Sequence, residues 1–203
     1  MKNYDEIELE IGINCGEPVS DSDSWIKFTQ SMRRNAIADT ELAIFRKANP
    51  AKLPKLQSKP INATDYITSN VLTLRDNLAR VIELYHETTA GTQTYFTERN
   101  KAWDKLQDSV NFTTTDPYFY LLGERQYKLQ HSISSPNVFY IIAQNFPQTY
   151  DASFDYGETY CEFEGLEEAI INGATGRILL KVNQAEKAGI YLKLFQGSLN
   201  LLA

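Results

Sequence analysis

The start of the chain alternates. Ile7, Leu9, Ile11 and Ile13 stand against Glu6, Glu8, Glu10 and Gly12. Period two with one polar side predicts a half-buried strand over about 5–13, which would join a sheet formed later. "SDSD" at 20–23 then offers helix N-caps. Trp25, Phe28, Met32 and Ala36 follow helical spacing, but Leu42 and Phe45 fall off that stripe. The pattern predicts a helix that breaks near 35–39, with Asp39 or Thr40 capping a second piece. Asn49-Pro50 should end it, because proline disfavours helix in the residue before it. Residues 49–61 hold three Pro and three Lys and read as an extended basic linker.

The most regular pattern follows. Ile67, Val71, Leu74, Leu78, Val81 and Tyr85 are spaced 4, 3, 4, 3, 4, which is the seam of a heptad repeat. "TTAGTQT" at 88–94 interrupts it, and Phe96, Trp103, Leu106 and Val110 resume a helical stripe. The spacing predicts helices over 64–88 and 94–111 as an antiparallel hairpin, with one long bent helix as the alternative. After 112 aromatic and β-branched residues rise in "YFYLL", "NVFYII", "FDYGETYCEFE", "GRILLKV" and "GIYLKLF", mostly bounded by turn residues. "GLEEAIING" reads as a short helix closed at Asn172-Gly173. The expected fold class is therefore α+β. A helix-rich half, 1–112, would precede a β-rich half, 113–203, in a single domain spanning 1–203.

Composition changes this picture little. At 203 residues with 42% hydrophobic and 23% charged side chains, the chain can bury a core unaided. No apolar run approaches the roughly 20 residues of a membrane span, so no membrane partner is expected. The acidic opening "MKNYDEIELEIG" does not read as a secretory signal. Cys15 and Cys161 have neither metal-ligand nor redox spacing and are expected to be reduced, in a cytoplasmic compartment or inside an assembled particle.

Charge is more informative. Residues 1–24 carry seven carboxylates against Lys2. Residues 25–60 carry eight Lys and Arg against Asp39 and Glu41. "YDASFDYGETYCEFEGLEEA", 150–169, carries seven carboxylates and no base. In that stretch Asp151, Ser153, Asp155 and Glu162 fall on calcium-loop positions 1, 3, 5 and 12. Tyr156 occupies the position that needs Gly, however, so no metal is expected. A solvated acidic edge, with Cys161 and Phe163 inward and Glu162 and Glu164 outward, accounts for the pattern. His86, placed near a helix end, and His131 have no ligand-spaced partners. No Gly-x-Ser-x-Gly elbow or phosphate loop is present.

These readings favour a non-enzymatic assembly subunit of a multi-chain complex, such as a virion or phage-tail component, with no cofactor. Its expected contact surface is Arg33, Arg34, Arg46, Lys47, Lys52, Leu53, Lys55, Leu56 and Lys59, facing an acidic surface of another copy or another subunit. Leu53, Leu56 and Ile61 would lie exposed on the linker unless covered, and would supply affinity. Two alternatives stand beside it. One is a small enzyme with a through-space acidic site around Asp155, Glu158 or His131. The other is a nucleic-acid-binding protein using the basic 25–60 region.

Overall fold

The computed structural model describes residues 1–16, 28–75, 77–100, 116–131, 133, 138–147 and 155–202. The class is mixed α+β, with helices at both ends of the chain and the strands between them. The chain divides into two compact units, 1–55 with 147–203, and 56–146.

The first unit is helical. Helix α1 spans Tyr4–Cys15 where a strand was expected. The alternation of Ile and Glu is overridden by a capping box: Asn3 accepts from the Glu6 N–H, and Glu6 accepts from the Asn3 N–H. Burial follows helical period, through Tyr4, Ile7, Glu8, Ile11 and Cys15, and leaves Ile13 about half exposed. Gly16, at φ 84°, ends the helix in the left-handed conformation. Helix α2, Gln30–Lys47, is capped by Thr29 and runs without the break expected near 35–39. The Thr40 hydroxyl starts no new helix; it donates back to the Ala36 carbonyl at 2.7 Å. The helix does stop before Asn49-Pro50, but the linker beyond is coiled into two 3-10 turns, Pro50–Lys52 and Pro54–Leu56, instead of being extended.

Helices α3, Glu167–Lys181, and α4, Ala185–Leu202, complete this unit. They occupy "GRILLKV" and "GIYLKLF", where the pattern predicts strands. Helix α3 packs against the other three. Gly173 does not close a short helix. A Cβ there would lie 3.0 Å from Phe195, and one on Gly176 would lie 2.7 Å from Leu192. Both glycines are contact points for neighbouring helices.

The second unit holds the nine strands found among the described residues. One sheet has the order β1 (Ile61–Asn62), β9 (Val138–Asn145), β4 (Leu78–Glu87), β5 (Gln93–Tyr95), and all its pairs are antiparallel. The other has the order β2 (Ile67–Thr68), β3 (Val71–Thr73), β8 (Gln126–Gln130), β7 (Tyr118–Gly123), β6 (Thr97–Glu98). Only β6 and β7 in it run parallel. Leu72, Leu74, Leu78, Val81, Leu84, Phe119, Leu129 and Ile141 share one core drawn from both sheets.

The expected helix 64–88 is therefore replaced by a 3-10 turn and strands β2, β3 and β4. Two features mimic the heptad. Ser69 and Asn70, at φ 51° and 61°, form a two-residue turn joining β2 to β3. Register shifts between Leu78 and Arg80 and between Val81 and Glu83 bulge β4. Each inserts an extra residue, so Leu78, Val81 and Leu84 reach the core at spacing three. Of the second expected helix, 94–100 holds strands and 101–111 lies outside the described residues. The strands expected at "YFYLL" and "NVFYII" are present. "FDYGETYCEFE" lies mostly in turns, with an isolated bridge from Asn3 to Tyr160. No helix among the described residues is long and apolar enough to cross a membrane.

Candidate interaction surfaces and buried polar clusters

Each of the nine expected contact residues has a definite place. Arg33 is not on the surface; it is 1% exposed, and its Nε reaches Glu8 Oε2 at 3.3 Å. Its Nη1 donates to the Phe28 carbonyl. Arg34 Nε stands 3.5 Å from Glu8 Oε1, and its guanidinium lies 3.5 Å from the centre of the Tyr156 ring. Leu53 and Leu56 are each 1% exposed, so the chain itself covers them. Arg46, Lys47, Lys52, Lys55 and Lys59 are exposed. Lys47 donates to Asn200 Oδ1, Lys52 to the Leu201 carbonyl, and Lys55 pairs with Glu164 at 3.7 Å.

The Glu8 cluster continues inward. Tyr4 donates to Glu41 Oε1 at 2.7 Å and packs edge-on against Tyr156. Burial pushes the Glu8 carboxyl above its ordinary value, while the charges of Arg33 and Arg34 oppose that shift. Cys161, fully buried beside Glu41, has its thiol pushed up to about 12, chiefly by burial and then by the Glu41 charge. Such a thiol is not poised as a nucleophile. Cys15 is also free and buried. This cluster welds α1 to α2.

Asp155 of the acidic stretch holds a tight turn, accepting from the Gly157 and Glu158 N–H groups. Asp151 and Ser153 lie outside the described residues. Cys161 and Phe163 are buried and Glu164 is exposed, as the alternation implied. No group of three or more metal-ligand side chains occurs among the described residues.

In the second unit both histidines enter one aromatic cluster. His86 lies in β4, not at a helix end. Its ring packs against Phe96 and Phe139, and His131 packs against the same two rings. His131 Nδ1 accepts from the Ile133 N–H at 3.1 Å, which places its proton on Nε2. That nitrogen and both nitrogens of His86 are buried without partners. Burial lowers the pKa of both, and the nearby His86 lowers His131 further.

The opposite face of the same strands carries Tyr95, Tyr85 and Tyr140 side by side. Register places Tyr85 opposite both Tyr95 and Tyr140. Ring centroids are 5.2 and 5.3 Å apart, with interplanar angles of 39° and 19°. Tyr85 lies between the other two rings, so hydroxyls, ring edges and the outer face of Tyr95 are what the row can offer to solvent. Tyr95 is 55% exposed and donates to Gln93 Oε1; Gln93 in turn donates to Glu87 Oε2. A hollow of about 360 Å³ beside the row is lined by Glu87, Thr88, Thr89, Val138 and Tyr140. Residues 81–98 contain Glu83, Glu87 and Glu98 with no Lys or Arg, and 138–147 are uncharged. Sequence reading missed this ridge because Tyr85 was assigned to a helical seam.

No protein-family model matches the chain, and no curated protein matches it.

Proposed function

We propose that the chain is a non-catalytic assembly subunit, and that the acidic tyrosine ridge of one copy receives the basic connector of another. The observation that carries this reading is the ridge itself: three cross-strand tyrosines flanked by Glu83 and Glu87, while Arg80 of the same strand is engaged with Gln144 of β9. Its charge complements the exposed Arg46 and Lys59, whereas Lys47, Lys52 and Lys55 are engaged within the chain. Tyrosine edges and hydroxyls suit a protein contact, where Tyr and Arg anchors dominate binding. Surface ion pairs contribute about 0–1 kcal/mol each and weaken with salt. The tyrosines therefore supply most of the affinity and the charges set partner and register. Arg33, Arg34, Leu53 and Leu56 take no part, being engaged or covered within the chain.

Sedimentation at low and high salt tests the reading. Glu83→Lys with Glu87→Lys should weaken self-association, and so should Arg46→Glu with Lys59→Glu. Mixing the two reversed chains should restore it. Association unchanged in both variants would overturn the proposal.

A further inference from the structure

Helix α4 is apolar on two sides. Ala188, Phe195, Leu199 and Leu202 face its own unit and are buried. A second stripe points outward. Ile190 is 59% exposed, Leu194 53% and Leu201 79%, with Gly197 between them, also exposed. The spacing from 190 through 194 and 197 to 201 is 4, 3, 4, the seam of a two-helix coil. Beyond its chain neighbours and the helix's own backbone, no atom comes within 4 Å of where a Cβ on Gly197 would stand, so the glycine leaves a notch in the seam. Three large apolar side chains on one exposed stripe are more than scattered surface residues require.

We propose that α4 pairs antiparallel with α4 of a second copy, each Leu194 entering the notch at Gly197 of the other. An antiparallel pair centred between 194 and 197 sets Ile190 level with Leu201 and Leu194 level with Gly197, twice over, by two-fold symmetry. A large residue then meets a small one in the two inner layers. A parallel in-register pair sets Gly197 against Gly197, leaving a void, and Lys187 against Lys187.

Charge favours the same direction. The C-terminal end of α4 is ringed by cations of its own unit: Lys47 on the Asn200 side chain at 3.0 Å and Lys52 on the Leu201 carbonyl at 2.7 Å. The N-terminal turn carries the exposed Glu186 on the flank that also holds Asn200. Antiparallel pairing brings Glu186 of one copy to the C-terminal end of the other helix, where Lys47 and Lys52 lie. It also sets the two helix dipoles in opposition. The seam is about four residues long and buries less than the roughly 1,200 Å² of a standard stable interface. The pair is therefore reversible, with dissociation in the micromolar range or weaker. This surface is separate from the tyrosine ridge. Together, a two-fold contact and a head-to-tail contact would build an open array rather than a closed dimer.

The test uses the full chain, with helicity checked by circular dichroism. Leu194→Glu, at an exposed position, should weaken dimerisation at least tenfold in sedimentation equilibrium. Gly197→Leu is the sharper variant: it adds apolar surface but fills the notch, and it should also weaken the dimer. Undiminished or tighter dimerisation of Gly197→Leu would overturn the antiparallel pairing. Chains carrying Leu194→Cys and Gly197→Cys should link by disulfide faster when mixed than either does alone. Equal linking of each with itself would also overturn it. Glu186→Lys should weaken the pair, and adding Lys47→Glu should restore it. Glu83→Lys with Glu87→Lys should leave the α4 dimer intact, which separates this contact from the ridge. A native chain that is strictly monomeric at about 100 μM would sink both contacts.

Discussion

Glu8 carries its charge where water does not reach, and two arginines share it. Removing one member of such a cluster leaves the others buried and unpaired. Glu8→Ala should cost about 3–5 kcal/mol, measured by urea unfolding. Replacing Glu8 and Arg33 together by leucine should cost far less than the sum of the single changes, because neither fully buried charge is then stranded, and Arg34, partly exposed, keeps the Tyr156 ring. A double variant costing as much as the sum of the two single changes would show that packing, not charge, sets the price at this site. Cys161 belongs to the same scale. With its thiol at about 12 and fully buried, it should resist a thiol reagent at pH 8 in the native chain and react only on unfolding.

At the scale of elements, glycines have two opposite roles inside helices. Gly173 abuts Phe195, and Gly176 abuts Leu192. Gly189 has no atom within 4 Å of its would-be Cβ. Gly173→Ala should therefore destabilise by about 1–3 kcal/mol through overpacking, despite better helix propensity. Gly189→Ala should stabilise by about 0.5–1 kcal/mol through propensity alone. Thermal melts of the two variants moving in the same direction would contradict the packing of α3. The same contrast explains why Asn172-Gly173 misled as a stop signal. A glycine needed for close approach looks, in sequence, like a glycine needed for a cap.

For the whole molecule, the distribution of titratable groups separates the two units. Both histidines lie in 56–146, and their folded pKa values are lowered by burial. In the unfolded chain an imidazole takes a proton near pH 6.5. The unfolded state thus binds more protons as pH falls below about 6.5, and the β unit loses stability from there down to the folded values. Glu8, with a raised pKa, lies in the helical unit and contributes the opposite sign. Hydrogen exchange at pH 5.5 should show β4, β8 and β9 opening before α1–α4. His86→Phe with His131→Phe should flatten the pH dependence of the β unit. Uniform exposure of both units, or an unchanged pH slope in that double variant, would contradict this assignment.

What the sequence determined by itself was the mixed class, the end of α2 before Asn49-Pro50, the strands at "YFYLL" and "NVFYII", and the inward set of Cys161 and Phe163. Those signals are local: a missing N–H, a β-branched run, an alternation over four residues. The Asn3-x-x-Glu6 capping box and the Ser69-Asn70 turn were equally local but lay under stronger hydrophobic patterns. Tertiary structure alone decided the rest. Spacing in β4 is set by bulges, which depend on pairing with β9 some 60 residues away. Gly173 and Gly176 stay helical because α2 and α4 press on α3. His86 and His131 meet only when β4 and the end of β8 share a core. The outward stripe of α4 exists only because that segment is helical; as a strand, its apolar residues would have divided between two faces.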